Sequence, residues 1–465
     1  MPQLLELRST QGRGMLLATV LASGMAFLDG TVVNVALPHI GADLDAPLAG
    51  LQWTITGYTL TLAAFVLLGG ALGDRYGRRR IFLLGVIWFT AASAVCGLAQ
   101  SIGWLVAARL VQGVGAALLV PGSLALIEAS YREQDRGRAI GAWSGLSGVS
   151  TVLGPFLGGW LIDALSWRWI FFLNVPLAVV AVLATLRWVP ESSSPGDARF
   201  DVAGSVLGVL GLAGITYALV EARSGGPVLL LGAGGLLALV AFAFWERRLG
   251  SGAMLDPALF ASGRFTALNV YTLAVYAALS GMSFFLVVYL QTVAGYSAVA
   301  AGATILPASL LLLLGSARAG ALAGRIGPRI PLVVGPLICS AGLLLLRRAG
   351  ADADFWWDVL PGSVLFGLGL TLIVAPLTAS VLAAVADRHA GIASGVNNAA
   401  ARVASLLAIA ALPLLVGLSG GEYAQPEPLT QAFRAAMLWC VGLLLAGAVL
   451  ALLAPLSKQG AKPSG

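Results

Sequence analysis

Fourteen apolar runs, each about as long as a bilayer is thick, leave this chain little choice of architecture. They fall at roughly 14–37, 51–73, 81–99, 104–128, 137–162 and 169–189, then 201–221 and 227–245. Six more follow at roughly 265–290, 299–322, 330–346, 359–385, 391–417 and 434–455. About 20 apolar residues span the hydrocarbon core as a helix, and backbone polar groups there must be satisfied internally, so each run is expected to be a spanning helix. The first run follows Arg8 and Arg13 as a secretory leader would, but it is too long and carries Asp29, so it is read as a helix of the mature chain. Charged residues make up 10% of the sequence, against about 25% in soluble domains.

One charged stretch sits between two of these runs: Gly70-Ala71-Leu72-Gly73-Asp74-Arg75-Tyr76-Gly77-Arg78-Arg79-Arg80. Hydrocarbon cannot hold that much charge, so the turn belongs in water. The chain repeats it in Gly320-Ala321-Leu322-Ala323-Gly324-Arg325-Ile326-Gly327-Pro328-Arg329, where Gly324 answers Asp74. A second echo links Gly113–Gly122 to Gly367–Pro376. Recurrence in the same order points to two related six-helix halves with two helices inserted between them.

The net charge of +6 could suggest nucleic acid, yet its placement argues for topology. With the N-terminus in the cytoplasm, about twenty of the cations fall on inner segments and five (Arg168, Arg223, Arg347, Arg348, Arg434) on outer ones, a strong positive-inside bias. Lys458 and Lys462, both in the tail, follow no glycine-rich phosphate loop, which speaks against an ATP-driven motor. Cys96, Cys339 and Cys440 are scattered singly, and His39 and His389 lack ligand spacing, so neither a disulfide framework nor a metal site is expected. Glu191–Asp197 and Glu246–Arg264 read as connectors, the second with a short interfacial helix, and Gly417–Thr430 as the longest outer loop. Trp167, Trp169, Trp356 and Trp357 read as interfacial anchors.

Asp29 falls near the middle of the first run, where a charged carboxylate costs on the order of 3 kcal/mol by insertion scales. An acid kept there is a candidate proton carrier, the alternative being a structural carboxylate bonded to Thr31 or Asn34. Arg109 lies a few residues inside the fourth run, placed either to act on that acid or to snorkel toward headgroups. Arg402 lies deep in the thirteenth run beyond Asn397 and Asn398. It could face Asp29, bind helix carbonyls or meet an anionic cargo group.

The loop Gly70–Arg80 resembles the signature loop of the major facilitator superfamily. Leu28–Pro38, Arg109–Gly115 and Gly145–Gly159 agree in order, and with fourteen helices the whole is similar to the EmrB/QacA-like branch of drug:proton antiporters. The resemblance implies proton coupling through Asp29 and Arg109. It implies a cytoplasmic gate of Gly70, Gly73, Asp74, Arg75, Gly77, Arg78, Arg79 and Glu128, with Asp74 capping a helix of the other half and Arg78 paired to Glu128. It implies an antiporter motif in Gly145, Gly148, Gly154, Pro155, Gly158 and Gly159. The expected cavity lining is Asp29, Asn34, Gln52, Trp53, Tyr58, Phe284, Tyr289, Asn397, Asn398 and Arg402, with Gln291 close by.

The expected fold is an all-α membrane protein of the major facilitator type. Residues 1–190 form one six-helix bundle, 191–263 a two-helix insert, and 264–465 a second bundle with a short tail. The expected function is non-enzymatic: proton-coupled export of hydrophobic or amphipathic small molecules by alternating access, with an uptake symporter of a small organic solute as the alternative. No cofactor and no nucleic acid are expected. The partners are cargo, protons and lipid, and the chain is expected to be monomeric in a bacterial inner membrane with both termini cytoplasmic. No second buried acid appears in the later six runs, which favours neutral or weakly acidic cargo over divalent cations.

Overall fold

A computed structural model describes residues 4–193, 201–223, 227–250, 257–386 and 390–454. Arg199, Arg388, His389, both lysines and the Pro195–Asp197 end of the first connector therefore lie outside the described residues. The first nine helices are α1 Thr10–Asp43, α2 Leu48–Tyr76, α3 Arg78–Gly97, α4 Ile102–Ser130, α5 Glu133–Ala164, α6 Trp169–Phe172, α7 Asn174–Trp188, α8 Val202–Val220 and α9 Val228–Leu249. They are followed by α10 Pro257–Phe260, α11 Gly263–Thr292, α12 Ala298–Ala303, α13 Leu306–Ile326, α14 Arg329–Leu346, α15 Leu360–Leu382, α16 Ala390–Leu415 and α17 Pro426–Leu453. Among the described residues, thirteen helices are long and apolar enough to cross a membrane, and fourteen if one bent pair counts as a single span. In the span count α6 and α7 make one crossing, as do α12 and α13.

Local chemistry sets the helix ends. Ser9, Ser101, Asp201 and Ser262 each accept a hydrogen bond from a backbone N–H three residues on, which satisfies one of the donors a helix start leaves open. Gly77 (φ 104°) and Gly327 (φ 91°) close α2 and α13. Side chains resist that backbone region and glycine does not, so the repeated loop is the same turn made twice.

The chain divides into two compact units, Met1–Trp245 with Ser297–Gly302, and Glu246–Tyr296 with Ala303–Gly465. The inserted pair α8 and α9 thus groups with the first six spans. In the first unit α4 packs against both α2 and α3, and α1 packs against α5 and α7. In the second unit α15 packs against α13 and α14, and α11 against α16 and α17.

Two glycine pairs account for the matching contacts. A Cβ on Gly113 would overlap the side chain of Thr61 and the carbonyl of Tyr58 in α2, and one on Gly115 would lie 2.6 Å from the Phe89 nitrogen in α3. In the second unit, a Cβ on Gly367 would overlap Ala308 in α13, and one on Gly369 would lie 2.7 Å from the Cys339 nitrogen in α14. Each pair lets one helix nest between two others at backbone distance, as small residues do in membranes.

The insert is tied to the first bundle by polar and ring contacts. Trp53 Nε1 of α2 donates to Glu221 Oε1 at 3.1 Å beyond the end of α8, and its ring lies 6.4 Å from that of Tyr217. Helix α9 packs on α8 where Gly235 meets Gly211 and Gly214. It leaves Leu229 and Leu230 88% and 74% exposed, a face suited to lipid rather than to water.

Candidate functional site

The first bundle encloses a ring of three polar side chains. Asp29 is fully buried and Arg109 is 1% exposed. Arg109 donates from one terminal nitrogen to Asp29 Oδ2 at 2.5 Å and to Gln112 Oε1 at 2.8 Å. Gln112 Nε2 closes the ring on Asp29 Oδ1 at 2.8 Å. Both carboxylate oxygens are therefore engaged, one by a charge and one by a neutral amide.

Helix geometry explains why these residues meet. Arg109 and Gln112 are three positions apart on α4, so they share a face. Tight nesting of α4 against α2 then brings Thr54 and Tyr58, themselves four apart, beneath the arginine. Arg109 Nε donates to the Thr54 carbonyl at 2.9 Å, and its guanidinium sits 4.3 Å from the centre of the Tyr58 ring. Tyr58 OH in turn donates to the Ala26 carbonyl at 3.3 Å, one turn before Asp29 on α1. Cys96 of α3 adds a weak S–H contact to Gln112 Oε1 at 3.5 Å.

Desolvating two charges this completely is expensive unless geometry and extra hydrogen bonds offset the cost. Here Asp29 meets an opposite charge and the Gln112 amide, and Arg109 reaches Asp29, Gln112 and the Thr54 carbonyl. A proton on Asp29 would remove the charge that Arg109 neutralises, leaving Arg109 to Gln112, Thr54 and the Tyr58 face. The ring ties α1 to α4, and the bond from Arg109 to the Thr54 carbonyl adds α2. Of the alternatives for Asp29, Thr31 bonds instead to the carbonyls of Phe27 and Leu28 in its own helix. Asn34 Oδ1 is buried and accepts no hydrogen bond.

Other expected lining residues take varied positions. Gln52 is buried, and Trp53 faces α8. In the second unit Phe284 packs edge-on to Phe285, and Tyr289 stacks on Phe433 at 4.2 Å while donating to the Ala349 carbonyl. Asn397 Nδ2 reaches Thr272 Oγ1 at 2.6 Å, joining α16 to α11, whereas Asn398 bonds the Ser394 carbonyl of its own helix. Arg402 is half-buried on α16. Gln291 is half-buried near the end of α11.

At the signature loop, Asp74 pairs with Arg78 at 2.7 Å, one helical turn away, and Glu128 stands exposed. Arg75 lies near the ring of Tyr76. A residue that local motif reading passes over completes the loop. Glu191 Oε1 accepts the Arg79 N–H at 3.0 Å, its other oxygen lies 3.7 Å from Arg80 Nε, and the Ser192 carbonyl accepts the Arg78 N–H at 2.8 Å. Arg79 also donates to the Leu186 carbonyl. The end of α7 therefore fastens the start of α3, and only a negative residue straight after that span hinted at it. Gly70 and Gly73 lie on α2 just before the turn.

In α5, a Cβ on Gly154 would overlap Thr31 and one on Gly158 would overlap Val32, both on α1. Gly159 faces the Ala298 and Val299 backbone, and Pro155 presents its carbonyl to Gly302. A Cβ at Gly145 or Gly148 would meet nothing within 4 Å. Among the described residues no three His, Cys, Asp or Glu group as metal ligands.

Comparison with known proteins places the whole chain rather than single residues. Residues 19–409 match the family model of the Major Facilitator Superfamily. The chain is 36% identical to multidrug resistance protein Stp of Mycobacterium tuberculosis, over 85% of this chain and 74% of that one. It is also 36% identical to puromycin resistance protein pur8 of Streptomyces alboniger, over 94% and 90% of the two chains. A solved bacterial homologue of the human lysosomal transporter Spinster, in an inward-facing unoccupied conformation, shares the fold with a TM-score of 0.69 at 19% identity, covering 96% of this chain and 97% of that one. A family match over most of the length, carried on multi-pass apolar helices, makes this chain a member of the Major Facilitator Superfamily of membrane transporters.

Proposed function

We propose that the protein is a proton-coupled antiporter that exports hydrophobic or amphipathic small molecules from a bacterial cell. The observation that carries this reading is the buried ring of Asp29, Arg109 and Gln112. An ionisable side chain buried within the membrane is a functional-site candidate by default, and a change in its charge would bias the balance between helix arrangements. In the cycle, cargo binds from the cytoplasm while Asp29 is ionised. The transporter opens outward and releases cargo, and a proton taken up at Asp29 drives the return. Proton motive force supplies the energy, and no cofactor takes part. The protein acts as a monomer in the inner membrane with both termini in the cytoplasm, and its two extra spans are peripheral.

Export is favoured over uptake by the relatives, which are named for resistance to drugs and antibiotics. Neutral or weakly acidic cargo is favoured because Asp29 already has a cation on it and Arg402 lies deep in its helix. Reconstituted into proteoliposomes, the protein should move cargo against the direction of an imposed proton gradient, and a protonophore should stop it. Cargo moving in the same direction as protons would make it a symporter instead. Dicationic dyes carried in preference to neutral compounds would contradict the cargo assignment.

A further inference from the structure

Peripheral in place, the two inserted spans still reach the buried ring of Asp29, Arg109 and Gln112 through α2. Helix α8 and most of α9 lie in the first compact unit, whose main part runs to Trp245. They meet at backbone distance. A Cβ on Gly214 would lie 2.6 Å from the Leu231 carbonyl oxygen, and one on Gly235 would lie 2.7 Å from the Ile215 nitrogen. Trp245 Nε1 of α9 donates to Asp201 Oδ1 at 2.7 Å, and the same oxygen caps the start of α8 by accepting the Gly204 N–H at 2.8 Å. Close small-residue packing and this shared carboxylate make the pair one stiff piece.

At its other end this piece holds α2. Glu221, the residue just past α8, accepts the Trp53 indole N–H at 3.1 Å, and the Trp53 and Tyr217 rings lie 6.4 Å apart. Asp201 stands where an acid is favoured, at a helix N-terminus. Glu221 stands where one is disfavoured, beside the partial negative charge of a helix C-terminus. The electrostatics of α8 itself give no reason for an acid at 221, and the indole contact does. The next residue of α2 after Trp53 is Thr54, whose carbonyl accepts Arg109 Nε at 2.9 Å. Tyr58, one turn further, lies under the same guanidinium. A continuous path therefore runs from Glu221 through Trp53, the Thr54 carbonyl and Arg109 to Asp29.

We propose that the inserted pair is a strut for this ring: by holding Trp53, Glu221 sets the position of α2 and so of the Thr54 carbonyl that aims Arg109 at Asp29. Glu221 and Trp53 are positioning residues that act through Arg109. The consequence for transport rests on the reading of Asp29 as the proton carrier. The positioning of Arg109 does not, and it is measured separately.

The test uses the full-length protein in lipid nanodiscs with isotope-labelled arginine. The Nε–H magnetic resonance of Arg109 is identified by its loss in Arg109→Lys, and hydrogen bonding moves it downfield. Glu221→Ala should shift it upfield. Trp53→Phe, which keeps a ring but has no indole N–H, should do the same, and the double variant should add little. Glu221→Gln still accepts the indole bond and should keep the wild-type position. In proteoliposomes Glu221→Ala should lower the maximal rate of proton-driven export about tenfold, the scale of one hydrogen bond to a charged group. The KM for cargo should stay unchanged, and Glu221→Gln should restore the rate. An Arg109 resonance unmoved by Glu221→Ala and Trp53→Phe, or moved as far by Glu221→Gln as by Glu221→Ala, would overturn the proposal. So would a changed KM at an unchanged maximal rate in Glu221→Ala, which would make the contact part of the cargo site. A shifted resonance in a protein whose transport ignores the proton gradient leaves the strut standing and removes the antiporter reading.

Discussion

The two bundles repeat their packing and do not repeat their chemistry. In the first, Gly113 and Gly115 let α4 nest between α2 and α3, and in the second Gly367 and Gly369 do the same for α15 between α13 and α14. Aligning Gly113 with Gly367 sets Arg109 and Gln112 against Ser363 and Phe366, and Phe366 is buried at 1% exposure as part of an apolar core. The loops behave alike. Gly77 and Gly327 make one turn twice, but at the first Asp74 pairs with Arg78 while Glu191 holds the Arg79 N–H and lies near Arg80. The second has Gly324 in place of the acid, and Arg329 donates to the Ala454 carbonyl. Duplicated glycines are what the shared fold needs. The unduplicated charges mark where the halves took different work.

The sharpest contrast comes from the ring. Arg109→Ala leaves Asp29 buried and unpaired, and should destabilise the protein by about 3–5 kcal/mol, while Ser363→Ala should cost less than about 1 kcal/mol. Thermal unfolding in detergent, followed by tryptophan fluorescence, reads both. Adding Asp29→Asn to Arg109→Ala should restore much of the loss, because the stranded charge is gone. Equal losses at Arg109 and Ser363 would break the contrast.

Packing should fail symmetrically. Gly115→Val and Gly369→Val each drive a side chain into the backbone of the neighbouring helix, and each should cost about 1–3 kcal/mol. A large loss at one and none at the other would show that the repeat is not mechanical. The paired turns come next. Gly77→Ala and Gly327→Ala should each lose about 1–2 kcal/mol from positive φ. The first should lose more, since a Cβ there would lie 2.8 Å from Glu191 Oε1, and Glu191→Ala should erase the difference. The smallest effect belongs to the half-buried loop pair: Asp74→Asn should change stability by no more than about 1 kcal/mol. A larger stability change would mean that Asp74 does more than bond Arg78.

How much of this could be read from the sequence follows the same division. The spans were legible because about 20 apolar residues in a row have few other fates, and the doubled loop was legible because glycine and charge stand out against such runs. Asp29 and Arg109 were visible as charges in hydrocarbon. Gln112 was visible only as a neighbour of Arg109, and nothing local shows that its amide closes a ring with α1. Glu191 was passed over because an acid at a helix end in water is ordinary, and its partners lie more than a hundred positions away. Trp53 and Tyr289 show the opposite limit. When every face of a helix is apolar, periodicity cannot say which face meets lipid, a neighbouring helix or a cavity.

The central claim is that Asp29 carries the proton exchanged for cargo. Proteoliposomes with a pH-sensitive dye in the lumen test it directly, by adding cargo with no imposed gradient and following proton movement. Wild type should move protons opposite to cargo, and Asp29→Asn, folded and still binding cargo, should move none. Proton counterflow that persists undiminished in Asp29→Asn would contradict the account.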